Sequence, residues 1–95
     1  MEIKHGDPDE YRKWLRRLPD RDIKRVADKI ALLVYSGTAL TMPHVRRLGD
    51  GVCELRVDKY RLYFVVVPND TALFLTYGEK DTQTRDMQRA RRRRP

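Results

Sequence analysis

Apolar residues in the first third of the chain recur with a helical period. Tyr11, Trp14, Leu15 and Leu18 fall at i, i+3, i+4 and i+7, which sets them along one stripe of a helix. The preceding Asp7-Pro8-Asp9-Glu10 is a start signal with a mechanism. Asp7 can accept from a free amide, Pro8 suits the first helical position, and Glu10 can reach back as in a capping box. Pro19 ends this helix. Ile23, Val26, Ala27, Ile30, Leu33 and Val34 trace a second stripe, with Asp20 expected as its cap and Gly37 as its stop. The connection between the helices is very short, so they are predicted to form an antiparallel hairpin. Residues 1–5 read as a short edge strand.

The period changes after the helices. Thr38 to His44 reads as a loop, and Gly49-Asp50-Gly51 as a turn that opens two alternating strands. In Val52 to Val57, Cys53, Leu55 and Val57 share one face while Glu54 and Arg56 share the other. In Tyr60 to Val67, Tyr60, Leu62, Phe64 and Val66 lie opposite Arg61 and Tyr63. Pro68-Asn69-Asp70 predicts a hairpin turn, Thr71 to Tyr77 a third strand, and Gly78 the close of the sheet. Asp81 to Thr84 then offers caps for a last helix, with Met87 and Ala90 on its apolar side. These elements predict a single α+β domain over residues 1–95: a helical hairpin, an antiparallel meander and a C-terminal helix. Residues 91–95 are expected to be a basic tail.

Charge turns this outline toward function. The chain has 21 Lys and Arg against 14 Asp and Glu, a formal net charge of +7. That excess favours nucleic acid, an anionic membrane surface or an acidic protein as partner. Cys53 is the only cysteine, so no intramolecular disulfide can form and a reducing, cytoplasmic setting is expected. No window approaches the roughly 18 consecutive apolar residues that span a bilayer, and the N-terminus lacks the apolar region of a signal peptide. A soluble protein with no membrane partner is expected. No Cys/His/Asp cluster has zinc-ligand spacing and no glycine loop suits a phosphate, so neither metal nor cofactor is expected.

The alternating strands bring Arg56 and Arg61 to one face. Their planar forks can grip phosphate oxygens bidentately and stay charged at any useful pH. Glu54 lies on that face two residues from Arg56, so ion pairing is the competing use. Tyr63 shares the face and can stack on a base or donate to phosphate. The helical cations, such as Arg12, Arg16, Lys24 and Arg25, read as a solvated face. Histidine is the common nuclease base, yet neither His5 nor His44 lies on the arginine strands. His44 is the better candidate of the two, because Arg46 and Arg47 follow it. Cys53 alternates onto the apolar face and is expected to be buried and inert.

The segments G-D-G-V-C-E-L-R, Y-R-L-Y-F and L-F-L-T-Y-G-E-K-D-T-Q-T-R-D-M-Q-R-A, with W-L-R-R-L upstream, resemble the RelE/ParE superfamily of bacterial toxin–antitoxin modules. The HigB-like addiction-module killer branch is the nearest in pattern, and the likeness covers nearly the whole chain. It implies a RelE-like fold, a helical hairpin on a small twisted antiparallel sheet. It also implies metal-independent, ribosome-dependent cleavage of mRNA that inhibits translation. The implied partners are the ribosome, mRNA and a cognate antitoxin. That antitoxin would be acidic where it covers the sheet and often bears a HigA-like helix-turn-helix. One departure is the turn between the E-L-R and Y-R strands, where many relatives have a longer, glycine-containing segment and this chain has only Val57-Asp58-Lys59.

Metal-free RNA cleavage needs a base for the 2′-OH proton, cations for the dianionic phosphorane and an acid for the leaving 5′-oxygen. Arg56 and Arg61 suit the cationic role. Lys80, where the family pattern also has a lysine, or Lys59 would move protons, although a lysine base needs cationic neighbours to loosen its proton. Tyr63, Tyr77, His44, Arg46, Arg47 and Arg89 are expected to contact substrate, with core packing as the competing role for Tyr77. The loop before Gly49 and Tyr63 would set base preference. The arginine run after Ala90 would grip rRNA or fray as a tail. Fold does not fix function, so two other classes stand beside this one: a ParE-like inhibitor of DNA gyrase, and a non-enzymatic basic RNA-binding module.

Overall fold

The computed structural model describes all 95 residues, and its first helix begins where Asp7 Oδ1 accepts the Glu10 amide at 3.1 Å. This helix, α1 (Pro8–Arg16), ends just before Pro19. The second, α2 (Asp20–Ser36), starts on Pro19, so Asp20 is its first residue and not its cap. Gly37 stops it with φ 58°, a backbone conformation that disfavours a side chain. Val26 and Leu33 are buried and Ile30 half-buried, whereas Ala27 and Val34 face outward. A helix lying on a sheet buries a narrower stripe than the one the spacing predicts.

Five strands follow the order β1-β5-β4-β3-β2, with β1 Glu2–His5, β2 Val45–Gly49, β3 Val52–Val57, β4 Tyr60–Val67 and β5 Thr71–Glu79. Strand β2 was not expected. Its sequence V-R-R-L-G alternates poorly, and it is held as an edge by antiparallel pairing with β3, Val45 opposite Leu55 and Arg46 opposite Glu54. Strand β1 runs parallel to β5, so the sheet is mixed and not a pure antiparallel meander. Helices α1 and α2 cover one face, where Trp14, Val26 and Leu33 pack on Leu55, Leu62 and Phe74. The last helix, α3 (Gln83–Arg92), covers the other face through Met87 and Ala90 against Val52, Tyr63, Val65 and Leu75.

A bulge redirects β5. Tyr63 faces Thr76 while Phe64 faces Phe74, which leaves Leu75 as the extra residue. Leu73 and Leu75 therefore turn toward α3, and Tyr77 turns to the α1/α2 side among Trp14, Tyr60 and Phe74. There Tyr77 Oη lies 2.5 Å from His5 Nδ1, and the His5 ring stacks on Tyr11 at 3.8 Å. Partial burial lowers the His5 pKa from its ordinary 6.5. The folded state then binds fewer protons than the unfolded chain, so this stabilisation is complete above pH 6.5 and is lost as pH falls through the folded value. Melting temperatures taken across that window should fall on acidification, and His5→Phe should flatten the His5 part of the slope.

The C-terminal arginines are not a frayed tail. Arg91 donates to Leu48 O at 3.1 Å, and Arg94 to Asp50 O at 3.1 Å. Arg93 meets both Glu10 carboxylate oxygens at 2.9 and 3.0 Å and also donates to Leu75 O at 2.8 Å. The Arg93–Glu10 pair thus ties the end of α3 to α1, around the edge of the sheet from one face to the other.

Candidate functional site

The alternation of β3 and β4 does place Arg56 and Arg61 side by side, directly paired across the ladder. Their surroundings differ sharply. The Arg61 side chain is 5% exposed, and its Nη1 donates to Asp58 O at 2.6 Å and Tyr60 O at 2.8 Å, holding the β3–β4 turn. Arg56 keeps 32% of its side chain open at the rim. Between them Glu54 is completely buried, with Oε1 3.8 Å from the Nε of each arginine and Oε2 accepting from Gln83 at 2.9 Å. The first turn of α3 therefore roofs the middle of this face. Burial lowers the Arg61 pKa, the charge of Arg56 adds to that, and Glu54 opposes it.

Tyr63 lies under the same roof, fully buried, so the expected base-stacking role has no accessible ring. Burial raises its pKa most, and the charges of Glu54 and Asp86 raise it further. Tyr77 is likewise core and faces away from the arginines. Asp86, which the sequence reading passed over, is fully buried beneath α3, with Oδ2 accepting from Thr82 Oγ1 at 2.5 Å. Its space comes from Gly78, where an added Cβ would sit 1.9 Å from Asp86 Oδ2. The G-E-K-D-T-Q-T-R-D spacing was the available signal: it puts Asp86 one turn after Thr82, on the inner side of the helix.

The remaining candidates spread along the rim. Arg46 is exposed on β2 opposite Glu54, and so on the Arg56 side. Arg47 points the other way, donating to Thr38 O at 3.2 Å. His44 pairs through Nδ1 with Lys29 Nζ at 3.0 Å, while its carbonyl accepts the Arg56 amide at 2.8 Å. Lys59 and Lys80 meet at one end of the sheet, where the Lys80 amide donates to Lys59 O at 2.8 Å. Lys59 pairs with Glu79 at 3.4 Å, whereas Lys80 is exposed in a polar hollow it shares with Gln83 and Arg85. Arg89 is turned inward, donating to Thr76 Oγ1 at 3.2 Å. No group of three His, Cys, Asp or Glu side chains is placed to hold a metal ion, and no helix is long and apolar enough to cross a membrane.

Three helices around a five-stranded sheet, with a cationic rim beside a roofed Glu-Arg pair, define a small RelE-like α+β protein. Residues 13–94 match the family described as Phage derived protein Gp49-like (DUF891). The chain belongs to that family, an addiction-module toxin family of the RelE/HigB type. Membership gives the coarse function, the toxin of a toxin–antitoxin pair with an antitoxin as its partner. No curated protein gives a significant match.

Proposed function

We propose that the protein is a HigB-like toxin that cleaves mRNA on the ribosome without a metal, in the cytoplasm, until a cognate helix-turn-helix antitoxin covers it. The observation that carries this reading is the division of labour in the arginine pair. Arg61 turns its Nη1 into the β3–β4 turn and balances buried Glu54, while Arg56 presents a partly open guanidinium that faces the same carboxylate at 3.8 Å and reaches Met42 Sδ at 3.7 Å. An arginine anchored from behind loses less freedom when it binds a phosphate, so it is pre-organised for a dianionic phosphorane. Lys80, exposed where Lys59 is tied to Glu79, is the better carrier of protons. Arg46 extends the cationic rim along the substrate strand.

The site lacks a well-placed histidine, so the ribosome would have to orient the 2′-OH for in-line attack. Mapping mRNA 5′ ends after induction should reveal new cuts within translated frames. Arg56→Ala should reduce cutting by on the order of 100-fold while the protein still folds, and Arg56→Lys should fall between. An Arg56→Ala variant as toxic as the wild type would sink the mechanism. Intact transcripts with DNA-damage signalling would point instead to gyrase.

A further inference from the structure

A sizeable cleft lies away from the Glu54–Arg56 rim. About 680 Å³ in volume, it opens between the α1–α2 connection, the β3–β4 turn and the first turns of α3. Pockets of about 300–1,000 Å³ are the size that holds small ligands. Five cations line it, Arg17, Arg21, Lys59, Arg85 and Arg89, against only Asp22 and Glu79. Both carboxylates are already engaged. Asp22 accepts from Tyr60 Oη at 2.6 Å and lies 3.8 Å from Arg21, and Glu79 pairs with Lys59. Arg17 and Arg85 are exposed, Arg85 with its Nε 3.5 Å from buried Asp86 Oδ1, and the inner wall is backed by the largely buried rings of Trp14, Tyr60 and Tyr77. A cationic mouth that runs on from the rim where the scissile phosphate would sit suits the backbone of the same RNA, with one charge per nucleotide.

Lys59 links this cleft to the rim, because it lines the cleft and its carbonyl holds the Lys80 amide. We propose that the cleft between the α1–α2 connection and α3 is a second RNA subsite, which holds the phosphodiester backbone of single-stranded RNA beyond the Lys59–Lys80 end of the rim. This rests on the mRNA-cleavage reading above and adds Arg17, Arg21 and Arg85 as binding residues. A phosphate run leaving Arg56 and Lys80 then continues on cations instead of ending at the edge of the sheet.

Trp14 is the only tryptophan of the chain and packs, largely buried, behind the cleft wall against Tyr60 and Tyr77, so a polyanion seated on that wall changes the electric field at its ring. Titrating the full chain with an oligouridylate octamer should shift Trp14 emission saturably. Each phosphate held should lower log K by about 0.7 per tenfold rise in salt. Arg17→Glu with Arg85→Glu should weaken the titration at least tenfold, Arg17→Lys with Arg85→Lys should largely restore it, and circular dichroism should show both pairs folded. An octamer that binds without moving Trp14, or binds the Glu variants as tightly as wild type, overturns the subsite. Equal response to polyglutamate overturns it in favour of an acidic protein ligand. Arg56→Ala should reduce cutting by on the order of 100-fold and, by removing one phosphate contact, weaken the octamer slightly while its saturable binding in the cleft persists. Intact transcripts with a filled cleft would therefore refute the cleavage reading alone, and cut transcripts with a silent Trp14 would refute the subsite alone.

Discussion

Arg61→Ala should cost about 3–5 kcal/mol of folding stability, the range for removing one partner of a buried ion pair. The loss has two sources. Glu54, wholly buried, keeps only the rim arginine Arg56 as a countercharge at 3.8 Å. The carbonyls of Asp58 and Tyr60 also lose their guanidinium donor. A domain of this kind has about 5–15 kcal/mol in total, so the variant stands near the edge of folding. Arg56→Ala should cost far less, because its open guanidinium returns to water cheaply. Urea midpoints read at constant m would separate the two. Adding Glu54→Gln to Arg61→Ala should recover part of the loss, since an amide needs no countercharge and its oxygen can still accept from Gln83. Equal losses for Arg56→Ala and Arg61→Ala would mean that burial does not distinguish them.

Gly78→Ala is the second large effect, at about 1–3 kcal/mol or somewhat more. The added methyl would meet Asp86 Oδ2 at 1.9 Å and Asp86 Cγ at 2.7 Å, far inside contact distance. Gly78 has an ordinary strand conformation, so the need is for space and not for a positive φ. Relief requires the buried carboxylate to move, and with it the Thr82–Asp86 turn that seats α3 on β5. Asp86→Ala removes the obstruction while sacrificing its own hydrogen bond. The double variant should therefore lose less than the sum of the singles, with a coupling of about 0.5–3 kcal/mol. Simple additivity in thermal melts would show that the helix shifts freely and that the close approach carries no cost.

These two positions also mark where sequence reading stopped. The alternation E-L-R and Y-R-L-Y told which residues share a face with Arg56, because side chains in a strand change sides every residue whatever surrounds them. It could not tell that α3 would lie across the same face, leaving Tyr63 beneath it and Arg56 at its rim, with Arg61 folded back onto the β3–β4 turn. Strand β2 escaped notice because an edge strand can be stabilised by its ladder alone, without an apolar alternation to announce it. A strict period of two would set Tyr77 beside Leu73 and Leu75. The bulge at Leu75, invisible in composition, moved it to the opposite face. The arginines after Ala90 read as a tail since nothing local shows that Glu10, Leu48 and Asp50 converge on them.

The sequence by itself determined what depends on neighbours a few residues apart: the Asp7 cap, the helical stripe through Trp14, the Gly37 stop, and the shared face of Glu54, Arg56 and Arg61. It determined the cationic excess too, which is a sum over residues and needs no fold. Only the tertiary structure decided which cation stays open to a phosphate. Exposure depends on what packs from distant segments, and here Gln83 of α3 reaches Glu54 and Ala90 packs with Tyr63, while Arg61 is folded back onto the β3–β4 turn and Arg56 stays at the rim. The same packing brings Arg17, Lys59 and Arg85, from three separate parts of the chain, around one cleft.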